Sequence, residues 1–150
     1  MGYDPDKLIL PNEVRWADLP CPTEEQEQAY VIQWKEIMIN RYPELRRLIH
    51  IPNGGLRSKT EAVRLKRIGV KPGVSDLFFA SPRGEYAGLW IEMKRQRDSR
   101  LSPAQKEWLE DMKTAGYMAE RADGAEEAIA ILERYLKLRE RSSTERNDGD

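Results

Sequence analysis

Asp76, Glu92 and Lys94 are the residues of this chain best suited by type and spacing to act together. In Trp90-Ile-Glu-Met-Lys94, read as an extended strand, Glu92 and Lys94 project to one face and Ile91 and Met93 to the other. Fifteen residues separate Asp76 from Glu92, and a hairpin between their strands brings both carboxylates to one edge. Two carboxylates and a strand carbonyl, which Met93 supplies, make a hard, oxygen-rich pocket suited to Mg2+ or Mn2+. Such an ion polarises a phosphoryl oxygen and lowers the pKa of water, while a neighbouring lysine holds or helps deprotonate that water. Phosphodiester hydrolysis then needs no nucleophilic side chain. The bland alternative is a cross-strand ion pair on a solvated sheet face, worth at most ~1 kcal/mol. An Asp followed by Glu-x-Lys arises often by chance in a chain that is 34% charged. Asp76 leads into Leu77-Phe78-Phe79, however, where a carboxylate is costly unless paired or metal-bound.

The elements that must position these residues are marked by their caps and breakers. Thr23 with Gln26 has capping-box spacing and opens a helix whose apolar positions Val31, Trp34, Ile37 and Met38 recur at helical period; Pro43 limits it. Leu48 to Ile51 reads as a short strand stopped by the turn Pro52-Asn-Gly-Gly55. Ser58 with Glu61 opens a second helix that closes near Gly69. Val74 to Phe79 and Ala87 to Met93 read as two strands joined through Ser81-Pro-Arg-Gly84. Ser102-Pro103 starts a helix ending near Gly116, Tyr117 to Arg121 is a strand, and Asp123 is placed to cap a last helix through about Leu138. The order predicts an α/β fold, a small mixed sheet flanked by helices. Residues 1–22, with four Pro, read as an arm; 23–140 as one domain; 141–150 as a frayed tail.

At 150 residues the chain suits one domain, and its single cysteine, Cys21, excludes an internal disulfide or a cysteine-cluster zinc site. No apolar run approaches a membrane span and the acidic start is no signal peptide, so a cytoplasmic protein, bacterial or phage-encoded, is expected. The net charge of −1 argues superficially against nucleic acid, but it hides an asymmetry. Residues 41–71 carry 9 basic and 2 acidic residues, whereas 1–40 and 101–150 are net acidic. Arg57, Lys59, Arg64, Lys66 and Arg67 precede the Asp76 strand, and Arg95, Arg97 and Arg100 follow Lys94. Both groups flank the candidate site as a phosphate track would, and Asn53-Gly54-Gly55 lets backbone approach a phosphate. The competing reading is a solvated helix face. No base-reading helix or aromatic stacking platform is evident, so recognition of DNA shape and backbone is expected.

Gly73-Val-Ser-Asp76, Leu89-Trp-Ile-Glu92-Met-Lys94 and Leu101-Ser-Pro-Ala-Gln105, in this order and spacing, resemble the virus-type replication-repair nucleases (VRR-NUC) of the PD-(D/E)xK superfamily, stand-alone phage or prophage type. The resemblance runs over roughly residues 23 to 122, with Ser75 standing where the superfamily name has Pro. It implies a restriction-endonuclease-like core in which Asp76 and Glu92 bind a catalytic Mg2+ or Mn2+ and Lys94 is the catalytic lysine. It also implies a metal-side Glu on the first helix. Glu24 matches best, with Glu27 one turn on as the fallback; the bland reading of these acids is the helix dipole. Small members resemble junction-resolving homodimers acting on branched or Holliday-junction DNA, which implies a structure-selective endonuclease of replication and repair.

Gln105 is double. Three residues after Ser102 it fits a reciprocal capping box, whereas the resemblance places it beside the catalytic site, and the two roles compete for one side chain. His50, the single histidine, suits a packing or backbone contact rather than catalysis. Trp34, Trp90 and Trp108 read as packing residues, and Trp16 in the arm as docking on the core or on a second subunit. The alternative from another class is a non-catalytic DNA-binding or protein-interaction domain that keeps the nuclease fold.

Overall fold

A computed structural model describes residues 20–52 and 58–141. Asn53, Gly54 and Arg57, the arm with Trp16 up to residue 19, and the tail from 142 lie outside the described residues. The elements are α1 (Glu24–Met38), β1 (Leu48–His50), α2 (Lys59–Arg67), β2 (Leu77–Phe79), β3 (Leu89–Lys94), α3 (Pro103–Thr114), β4 (Met118–Asp123) and α4 (Ala125–Leu136), with a 3-10 turn at Pro43–Arg47. The strands lie in chain order in one sheet; β1–β2 and β2–β3 are antiparallel and β3–β4 parallel. A parallel pair needs a crossover, and α3 provides it.

All six residues of β3 are buried, because helices cover both faces of the sheet. Leu89, Ile91 and Met93 join Leu77, Phe79, Val31 and the apolar side of α4 in the main core. Trp90 faces the other way, against Leu109, Trp108, Phe78 and Tyr117. Its ring stacks on Phe78 at 4.2 Å and meets Trp108 edge-on at 5.1 Å. Trp34 packs partly buried on the main core, so the three described tryptophans are packing residues as expected.

The capping boxes at Thr23 and Ser102 are both formed, with the glutamine side chain returning to the cap backbone in each. Ser58 also caps its helix, accepting from the Glu61 N–H. One expected cap is wrong. Asp123 is the last residue of β4, and Gly124, at φ +95°, occupies the cap of α4 with no side chain to offer. The uncapped α4 amide is instead satisfied from α1: Ala125 N–H donates to Glu27 Oε2 at 2.6 Å. The Asp76 strand is also shorter than its apolar pattern suggests, beginning at Leu77, so Asp76 stands just ahead of the ladder.

Candidate active site

The antiparallel β2–β3 pairing sets Leu77 opposite Ile91, which draws Asp76 alongside the following part of β3. Asp76 Oδ2 accepts the Met93 backbone N–H at 2.8 Å, placing the Asp76 carboxylate beside Glu92. Glu92 is 2% exposed and Lys94 7%, which eliminates the solvated ion-pair reading. Lys94 Nζ lies 3.6 Å from Glu24 Oε1, at the first turn of α1.

The electrostatics are those of acids held close and dry. Burial pushes the Glu92 carboxyl up, the charge on Asp76 pushes it further, and Lys94 opposes both, leaving it at about 8. Burial likewise raises Asp76; the Met93 N–H works against this and the charge on Glu24 adds to it. Glu92 Oε2 is buried and accepts from no donor, and the Asp76 and Glu92 carboxyls stand within hydrogen-bonding reach of each other, so a shared proton would join them. An orphaned carboxylate oxygen of this kind is expensive unless a proton or cation meets it.

Gln105 makes both contacts at once. Its Oε1 accepts the Ser102 N–H at 2.8 Å, completing the cap, while its Nε2 donates to Glu92 Oε1 at 2.7 Å. The expected competition fails because a primary amide has an acceptor end and a donor end, and the N-terminus of α3 lies between cap and carboxylate.

The two first-helix acids separate as clearly. Glu24 is beside Lys94, and its charge is felt by both Asp76 and Glu92. Glu27, 2% exposed, has both carboxylate oxygens engaged, one by Ala125 N–H and the other by Gln96 Nε2 at 2.8 Å. The fallback assignment of Glu27 to the metal is therefore not the one the geometry favours. Its tertiary role had no sequence signal, since it depends on a helix 98 residues away.

A divalent cation, implied by the donor types, meets a set that fits in kind but is small. Among the described residues no three or more His, Cys, Asp or Glu side chains cluster as ligands. Asp76 and Glu92 supply two carboxylates and the Met93 carbonyl a third hard oxygen, and the unpartnered Glu92 Oε2 is the observation that fits a cation.

The basic residues divide. Lys59, Arg64, Lys66 and Arg67 lie on α2, which buries none of its residues. Arg41, Arg46 and Arg47 of the same basic block sit instead around the 3-10 turn, so two elements carry the block. Arg95 and Arg97 stand beside Cys21: desolvation pushes the thiol up, but hydrogen bonds from Arg97 and Arg95 outweigh it and hold the thiol below its ordinary range. Sequence reading also missed Arg83, 4% exposed, whose Nη1 donates to the Leu136 and Leu138 carbonyls and whose Nη2 meets Glu44 and Glu140. Its setting in a Ser-Pro-Arg-Gly turn resembles any solvated turn.

The model of the VRR-NUC domain family matches residues 17–126. The chain belongs to the VRR-NUC family. A solved structure described as a VRR_NUC domain protein is 35% identical, covering 81% of this chain and 94% of that one, with a TM-score of 0.70. No curated protein matches the chain. The VRR-NUC domain is a nuclease-type domain, so nucleic acid is its expected class of partner. No helix among the described residues is long and apolar enough to cross a membrane.

Proposed function

We propose that this VRR-NUC protein is a divalent-metal-dependent DNA endonuclease, selective for branched or Holliday-junction DNA and working as a homodimer. The observation that carries the reading is the half-buried Asp76 beside the buried Glu92, with Lys94 alongside. Asp76, Glu92 and the Met93 carbonyl would hold Mg2+ or Mn2+, with Glu24 contributing through water. The ion supplies polarisation of the phosphoryl oxygen and a lowered pKa for water. Lys94 orients the attacking water and offsets charge growing on the phosphate. Gln105 fixes the Glu92 carboxylate by its 2.7 Å bond, leaving Oε2 for the cation. Lys59, Arg64, Lys66 and Arg67 on α2, with Arg95 and Arg97 after β3 and Asn53, Gly54 and Arg57 ahead of α2 in the sequence, contact the DNA backbone. Two sites related by a twofold axis account for paired incision of symmetric strands.

Purified protein with Mg2+ or Mn2+ on four-way junctions, flaps and linear duplex, with light scattering of the same sample, tests this. Cleavage of branched DNA, lost with EDTA and in Asp76→Ala and Lys94→Ala proteins, is the expected result. Persistent cleavage by either variant overturns the assignment of those residues. DNA binding without metal binding or cleavage instead supports a non-catalytic domain.

A further inference from the structure

We infer that His50 is a positioning residue for Asp76, acting through the Asp76 backbone carbonyl. This rests on the reading of Asp76 as a metal ligand. Asp76 stands one position before the first residue of β2, and Gly73 at φ +86° turns the chain just before it. The neighbouring Ser75 hydroxyl is buried with no hydrogen-bond partner and gives the segment no anchor. Two bonds meet at one atom: the Asp76 carbonyl accepts from the Ile51 N–H at 2.8 Å, extending the β1–β2 register by one position, and lies 2.9 Å from His50 Nδ1.

A carbonyl oxygen has two lone pairs and no hydrogen, so Nδ1 must be the donor and both lone pairs are used. With Met93 N–H on Oδ2, the residue is gripped at backbone and side chain together. His50 itself is exposed, on an edge strand of three residues that pairs with β2. Burial therefore does not explain the ring; the bond it donates does. Partners one step behind metal ligands typically set affinity by about 10–100-fold.

The test compares three substitutions. The Asn amide nitrogen is bonded to Cγ, as Nδ1 is, so His50→Asn retains the donor where it is needed; His50→Gln carries it one bond too far, and His50→Ala lacks it. Mn2+ titration calorimetry is expected to give about 10-fold weaker binding for His50→Ala and His50→Gln, and near-wild-type binding for His50→Asn. A long-range 1H–15N spectrum of the metal-free wild type is expected to show Nδ1 protonated, which needs neither metal nor a variant that folds. Finding the proton on Nε2 alone, equal affinity in all four proteins, or an Asn variant as weak as the Ala variant overturns the role. Wild-type protein that binds no Mn2+ while showing protonated Nδ1 overturns the metal reading on which the role rests.

Discussion

The two capping boxes of this molecule are chemically alike and do different work. Thr23–Gln26 and Ser102–Gln105 each exchange two hydrogen bonds between cap and third residue. Gln26 is exposed, and its amide does no more than close α1. The Gln105 amide closes α3 and reaches Glu92, because α3 begins over the carboxylate face of β3 while Gln26 looks into solvent. A local motif fixes where a helix starts. What lies beyond the free end of its side chain decides whether it also belongs to a site.

Glu92 gives the comparison its largest lever. Its folded pKa of about 8 stands above the ordinary 4.5, so between those values the folded protein keeps a proton that the unfolded chain has released. Metal-free protein should therefore lose stability as pH rises from about 4.5 to about 8, with the loss complete above that. Relative to Glu92→Gln, the effect should amount to a few kcal/mol in denaturant titrations across that range. No such pH-dependent difference is expected at the first box, where Gln26→Glu is the control. A flat difference between wild type and Glu92→Gln would remove the electrostatic basis of the contrast.

Gln105→Glu separates the two functions directly. Glutamate still accepts the Ser102 N–H, but it sets a second carboxylate against Glu92 in place of a donor. Cleavage should fall by about 10–100-fold with α3 intact by circular dichroism, while Gln26→Glu leaves rates within about twofold. Equal effects at the two boxes would show that Gln105 is only a cap.

The acids of α1 repeat the contrast one turn apart. Glu27→Ala strands the Ala125 N–H and frees Gln96, and should cost about 1–3 kcal/mol in thermal or chemical unfolding. Glu24→Ala, at a half-exposed carboxylate, should cost less than about 0.5 kcal/mol and lower cleavage instead. The smallest effect belongs to Ser75→Ala. It removes a buried hydroxyl that has no partner and should be neutral or slightly stabilising, within about 0.5 kcal/mol.

Much of this arrangement is legible in the sequence because it is local. Thr23, Ser58 and Ser102 place three helix starts, and the hairpin spacing between Asp76 and Glu92 foretells their approach. The alternation of Ile91 and Met93 with Glu92 also gives the two faces of β3 correctly. What escapes is tertiary. Asp123 looks like a cap because its type suits one, yet β4 runs through it and Glu27 reaches across to do the capping. The run of cations from Arg41 to Lys71 is continuous in sequence, but the turn at Pro43–Arg47 and α2 divide it between two elements. His50 makes the backbone contact expected of it, but a lone histidine has no spacing from which Asp76 could be read as the partner.

Calorimetric titration of Mn2+ into wild-type and Glu92→Gln protein at pH 7, in buffers of different ionisation enthalpy, tests the central claim most directly. Wild type should bind and release about one proton, because the cation displaces the one held on Glu92. Glu92→Gln should bind at least about tenfold more weakly and release none. Equal binding by the two proteins, or no binding by wild type, would contradict the assignment of Asp76 and Glu92 as the metal-holding pair.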